Sequence, residues 1–155
     1  MATYKVAGIG EHRKFFDDGA YVDALNYIAN PQKAAYVDGN IASLSTAAQE
    51  MEGTAIHFGK NSGKRIRHSI LSFDPREHVT PELANQYAQE IIRHYTPEYQ
   101  IVYAVHTNTD TLHIHLLMCQ ISYIDGHRYQ GKKYDFYLFV RHMQSVIHFP
   151  VFAVK

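Results

Sequence analysis

One cysteine, Cys119, and no tryptophan occur in 155 residues. A single thiol excludes an internal disulfide framework and a cysteine-rich zinc site. No apolar run approaches the roughly 18 residues that a membrane-spanning helix needs. The opening stretch MATYKVAGIGEHRKFF has no long apolar centre and no small-residue cleavage pattern. No signal peptide is therefore expected, and a cytoplasmic location is. Net charge is also missing, because 15 Lys and Arg balance 15 Asp and Glu. A uniformly basic nucleic-acid binder is thereby excluded. What remains is a chain with 46% apolar and 19% charged residues, which reads as one globular domain over residues 1–155. Eleven histidines and twelve tyrosines stand out. Histidine is a common metal ligand and titrates near neutrality, so the positions of these residues matter more than their number.

The charge is uneven along the chain. Residues 1–52 and 74–125 are net acidic. Residues 53–73 carry Lys60, Lys64, Arg65 and Arg67 with no acid, and residues 126–155 carry Arg128, Lys132, Lys133, Arg141 and Lys155 against Asp135 alone. These two basic segments are either separate solvated loops or two halves of one anion-binding face.

The pattern of apolar residues predicts a strand over Thr3–Ile9 and a polar loop over Gly10–Gly19. Tyr21, Ala24, Leu25 and Ile28 form a helical stripe, which should stop at Asn30 because Pro31 disfavours helical geometry there. A short helix is expected over Ser43–Met51, a turn over Gly59–Gly63 and a strand over Arg65–Phe73. Thr80-Pro81 is a cap followed by a first-turn proline, and opens a helix that ends before Pro97. Gln100–Val105 and His113–Ser122 read as strands joined by a hairpin. Tyr134–Ile147 reads as a helix. Phe149–Val154 reads as a last strand that Pro150 confines to a sheet edge. The sum is an α+β domain, a mainly antiparallel sheet flanked by helices.

The segment from His106 to His115 carries the chemistry. Strand side chains alternate faces, so His113 and His115 point the same way. A hairpin brings His106 to that face from the preceding strand. Taken alone, His-x-His on a strand is an ordinary half-exposed pair. A third imidazole at hairpin distance, with no fourth protein ligand near, is the pattern of a catalytic metal site with open positions. Three neutral nitrogens do not by themselves name the metal. Asp110, in the hairpin turn, is either an outer partner or a turn residue.

Four ordered blocks resemble the relaxase, or mobilisation nuclease, family of the HUH endonuclease superfamily. They are Ala24-Leu25-Asn26-Tyr27-Ile28 followed by Pro31-Gln32-Lys33, then His68-Ser69-Ile70-Leu71-Ser72-Phe73, then His106-Thr107-Asn108-Thr109-Asp110-Thr111-Leu112-His113-Ile114-His115, and last Gly126 with Tyr129. The resemblance implies a DNA nickase for conjugative mobilisation of a plasmid or integrative element. It implies Tyr27 as the nucleophile, forming a 5′-phosphotyrosyl link. It also implies His106, His113 and His115 as ligands of a divalent metal, Mn or Mg first, with Zn, Co or Ni also compatible. His68 would orient a phosphate or assist proton movement. Lys33, Lys60, Lys64, Arg65, Arg67, Arg128, Lys132 and Lys133 are candidate phosphate contacts. The implied partners are single-stranded DNA at a transfer origin and accessory relaxosome proteins, with no membrane.

On the residues alone, Tyr21 and Tyr36 compete with Tyr27 as nucleophile. Cys119 stands where many relatives have asparagine. The family usually carries a C-terminal accessory region, which this chain is expected to lack. A rolling-circle replication initiator, a non-nicking DNA-binding protein of the same fold and an unrelated histidine-based hydrolase are the other readings.

Overall fold

The computed structural model describes residues 1–7 and 16–154. Six strands form one sheet in the order β2-β4-β5-β3-β1-β6. They are β1 (Ala2–Val6), β2 (Ala34–Gly39), β3 (Ile66–Phe73), β4 (Ile101–His106), β5 (His113–Cys119) and β6 (Val151–Val154). Among the described residues only β1 and β6 pair in parallel. The helices are α1 (Ala20–Ile28), α2 (Ala47–His57), α3 (Pro81–Ile92) and α4 (Lys133–Ile147). No helix among the described residues is long and apolar enough to cross a membrane. The α+β class and the mainly antiparallel sheet agree with the sequence reading.

Each sheet face has its own apolar layer. Tyr4, Leu71, Tyr103, Val105, Ile114 and Leu116 pack with α3 and α4. Ile66, Val102, Ala104, Leu117 and Cys119 pack with Tyr21, Leu25 and Ile28 of α1 and Met51 and Ala55 of α2. The alternation of side chains along each strand produces this division. It places the two helical layers on opposite sides and leaves the histidines on the α1 side.

Most boundaries follow local chemistry. The Thr80 hydroxyl accepts the Leu83 N–H at 3.1 Å, with Pro81 in the first turn of α3. Pro150 precedes β6, which occupies the sheet edge, where a missing N–H costs no ladder bond. Two elements depart from expectation. Helix α2 runs on to His57 rather than stopping at Met51, after a short 3-10 turn at Leu44–Thr46. Its buried stripe is Ala47, Met51 and Ala55, whose two alanines gave a weak hydrophobic signal. Strand β2 was not expected at all. It is a short edge strand with a register shift between Ala34 and Tyr36, so it lacks a clean alternation. Gly8 and Ile9 of the first expected strand, and most of the expected loop after it, lie outside the described residues.

Gly39 shows how closely β2 approaches β4. A Cβ there would sit 2.2 Å from the Ile101 carbonyl oxygen and 2.9 Å from the Val102 Cα. Both obstacles are backbone and cannot rotate away. Gly39→Ala is expected to destabilise the fold by about 2–3 kcal/mol, read as a lower urea midpoint with an unchanged slope.

Candidate functional site

Helix α1 buries Ala20, Tyr21, Leu25 and Ile28 against the sheet. Tyr27 lies one residue off that stripe and is 51% exposed. Its ring stands over the sheet histidines, with centroid separations of 6.2 Å to His68, 6.4 Å to His106 and 6.1 Å to His115. The competing tyrosines are elsewhere in role. Tyr21 is 1% exposed and donates its hydroxyl to Asn61 Oδ1 at 3.1 Å. Tyr36 is half-buried on β2. After α1, the Asn30 carbonyl accepts the N–H groups of Lys33 and Ala34, and the chain turns into β2. The turn carries Lys33 Nζ to 4.7 Å from the Tyr27 ring centroid.

Sheet register brings the histidines together. His106 lies directly opposite His113 across the hairpin, so both share a face with His115. The ring centroids of His106 and His115 are 4.0 Å apart, and those of His113 and His115 are 6.0 Å apart. Strand β3 adds a fourth ring. His68 pairs with Leu117, one diagonal step from His115, and its Nε2 meets His115 Nδ1 at 2.9 Å. The family resemblance implies that His68 orients a phosphate or assists proton movement. The structure shows it hydrogen-bonded to His115. That contact needs the β3–β5 register, which the strand pattern alone does not supply.

His106 is anchored differently. Its Nε2–H donates to the Ile28 carbonyl at 2.7 Å, joining the end of α1 to β4. A carbonyl only accepts, so the proton sits on Nε2 and Nδ1 keeps its lone pair. Burial lowers the pKa of all four imidazoles. His68 is pushed down to about 4, with His106 adding to burial. His115 is pushed down to about 2 by burial and then by His106, His68, His113 and Lys33. His106 is lowered by burial against the opposing Ile28 carbonyl, and His113 by burial and His106. Near neutral pH the cluster is uncharged, the form in which imidazole binds metals.

This donor set suits a divalent ion in its chemistry. If His115 donates Nδ1–H to His68, its Nε2 is left with a lone pair, the arrangement usual for a metal-bound histidine. His106 keeps the Nδ1 lone pair, and His113 is half-buried beside them. With the rings turned as they stand, no three His, Cys, Asp or Glu side chains among the described residues converge on one point. The fit to an ion is therefore one of donor chemistry and proximity, with ring centroids 4.0 Å apart for His106 and His115 and 6.0 Å for His113 and His115.

The candidate phosphate contacts separate into groups. Lys33 is at the site, half-buried beside Tyr27. Lys60, Lys132 and Lys133 are exposed, and Lys60 Nζ donates to the Gly126 carbonyl at 2.5 Å. Lys64 and Arg67 line a cavity of about 410 Å³ together with Arg128, Tyr129 and Gln130. Arg67 lies over the Tyr129 ring at 5.0 Å. Arg65 and Arg128 differ from free cations. Arg65 is 9% exposed and is held by Asp18, Asn61 and the carbonyls of Phe16 and Gly63. Arg128 donates to the carbonyls of Lys60, Ser62 and Lys64, so it shapes the Gly59–Gly63 turn from within. Cys119 is buried, with its Sγ 3.7 Å from the Met51 carbonyl, and belongs to the α2 contact.

The described residues thus form a mainly antiparallel sheet with clustered strand histidines beneath a helix-borne tyrosine. Residues 27–146 match the family described as "Relaxase: MobA/VirD2-like, nuclease domain". The chain belongs to that family. Two Staphylococcus aureus proteins named Protein rlx are similar at 30% and 31% identity over 110 residues, 71% of this chain and 34% and 32% of theirs. The group II intron-interrupted relaxase LtrB of Lactococcus lactis is 26% identical over 115 residues, 73% of this chain and 20% of its own. The matches thus span about a third or less of these relatives' lengths.

Proposed function

We propose that this chain nicks single-stranded DNA at a transfer origin, with Tyr27 as the nucleophile, in conjugative mobilisation of a plasmid or integrative element. The observation that carries this reading is the half-exposed Tyr27 ring 6.1–6.4 Å from three sheet histidines. Family membership supports the chemistry. Tyr27 Oη forms a bond to the scissile phosphorus, and the bond from phosphorus to the 3′ oxygen breaks. The DNA 5′ end stays on Tyr27. The phenolic proton leaves during attack, and the 3′ oxygen gains one to become a hydroxyl. Lys33, 4.7 Å from the ring centroid, favours the negative charge that develops on the phenol. The covalent link conserves the phosphodiester energy for religation.

His106, His113 and His115 would hold a divalent ion, Mn or Mg by preference. When bound it would draw charge from a non-bridging phosphate oxygen. His68 would act through His115 by fixing its tautomer and ring orientation. His68→Ala is expected to weaken Mn²⁺ binding by roughly 10–100-fold, measured by titration calorimetry. His68→Gln, which keeps a hydrogen-bonding side chain, should recover part of that loss. Equal affinity for wild type and both variants would remove His68 from this role.

The test of the whole reading uses single-stranded oligonucleotides tiled across the DNA around the gene, with Mn²⁺ or Mg²⁺. The expected result is a denaturant-resistant protein–DNA adduct whose modified peptide contains Tyr27. An adduct on another tyrosine, or none across the tiling, overturns it. Accessory relaxosome proteins and a cytoplasmic setting belong to the same proposal.

A further inference from the structure

A row of directly paired residues crosses the sheet from the histidines to its far edge. It runs His106, His113, Ser72, Thr3, Phe152. The adjacent row runs His115, Ile70, Lys5, Val154. Directly paired residues share a sheet face, so both rows lie on the face of the site. Three inter-strand spacings put Phe152 about 14 Å from His113.

The two halves of this face differ. Beneath α1 and α2 the apolar cluster draws strand residues from β3, β4 and β5 and none from β1 or β6. On the opposite face β1 and β6 bury Ala2, Tyr4 and Val151 in the other core. At the outer end of the site face Phe152 is 58% exposed, and Lys5 is exposed next to it. Thr3, Ser72 and Ile70 between them are half-buried. Both outer strands lie outside residues 27–146, which match the family.

We infer that the β1–β6 half of this face is the bed on which single-stranded DNA lies beside Tyr27, with Phe152 stacking one unpaired base and Lys5 holding a neighbouring phosphate. The inference rests on the nicking reading and extends it to a second contact point. A single large aromatic beside a cation and two hydroxyls suits alternating bases and phosphates. A protein partner would call for a broader apolar core at the patch. The surface is also continuous with the site through residue pairs, so a strand leaving the tyrosine meets it without crossing any described helix.

The experiment uses an oligonucleotide that forms the Tyr27 adduct, carrying 5-iodouracil at successive positions. Affinity is read by fluorescence anisotropy, and folding by urea denaturation. Phe152→Ala and Phe152→Leu should each bind about tenfold more weakly. The leucine variant keeps apolar bulk and removes only the stacking ring. Lys5→Gln should bind a few-fold more weakly and lower the salt slope by about 0.7. Irradiation should crosslink one iodouracil position to Phe152. Unchanged affinity in both Phe152 variants, with adduct still formed, overturns the bed and leaves the nickase. Loss of self-association in Phe152→Ala with unchanged DNA affinity also overturns it, and assigns the face to a second copy of the chain. If no tiled oligonucleotide forms an adduct, the same measurements use the one that binds best. Phe152-dependent binding then supports the bed while the nicking reading fails. No binding by the wild type overturns both.

Discussion

Tyr27→Phe is expected to abolish the covalent adduct and to lower strand cleavage on the order of 10⁴-fold or more. The substitution removes one oxygen, and that oxygen is the proposed nucleophile. The ring contacts with His68, His106 and His115 are retained, as is the Lys33 contact. Because the residue is 51% exposed, stability should change by less than about 0.5 kcal/mol. DNA binding should persist. Tyr21→Phe is the matched control. It removes the hydroxyl that donates to Asn61 and should cost about 1 kcal/mol of stability. Cleavage by that variant should stay within about twofold of wild type. A Tyr27→Phe protein that still forms adduct would return the nucleophile to another of the twelve tyrosines. Cleavage that does not depend on any tyrosine would favour hydrolysis by the histidine cluster.

His115→Ala is expected to remove metal-dependent cleavage, by roughly 10²–10³-fold. Chelation of the wild type should give the same loss, and added Mn²⁺ should restore the wild type alone. His115 is 6% exposed and bonded to His68, so its removal also leaves a small void and a buried partner. His113→Ala separates the two effects. His113 is half-buried at the start of β5, and its loss should disturb packing less. It should nevertheless lower Mn²⁺ affinity and cleavage together. Cleavage unaffected by chelation and by both substitutions would overturn metal ligation by these residues. Binding measured by calorimetry separates a lost ligand from a lost fold, since a misfolded variant also loses its urea transition.

The helix with Tyr27 was legible because Tyr21, Leu25 and Ile28 recur at helical spacing and Pro31 closes the pattern. The hairpin was legible because two apolar strands flank a short polar segment. The full length of helix α2 is not legible, because Ala47 and Ala55 in its buried stripe carry little hydrophobic contrast. Strand β2 is not legible, because an edge strand with a register shift has no clean alternation. Arg65 and Arg128 looked like two more surface cations. Their commitment to backbone carbonyls follows from loop packing, which composition does not encode.

The sequence by itself determined the α+β class, the pairing of His106 with the His113 and His115 strand, and the ordered blocks of the family. Those properties reside in local periodicity and spacing. The helical stripe already set Tyr21 inward and Tyr27 off it, but only the tertiary structure decided that the Tyr27 ring stands over the histidines, since the docking of α1 on the sheet is set by packing. It also decided that His68 bonds His115, because partners 47 residues apart meet only through the register of β3 with β5. The same strand order carries the site face outward to Lys5 and Phe152, from the two ends of the chain. Contacts between distant segments are set by which faces can be buried together, and no local pattern contains that.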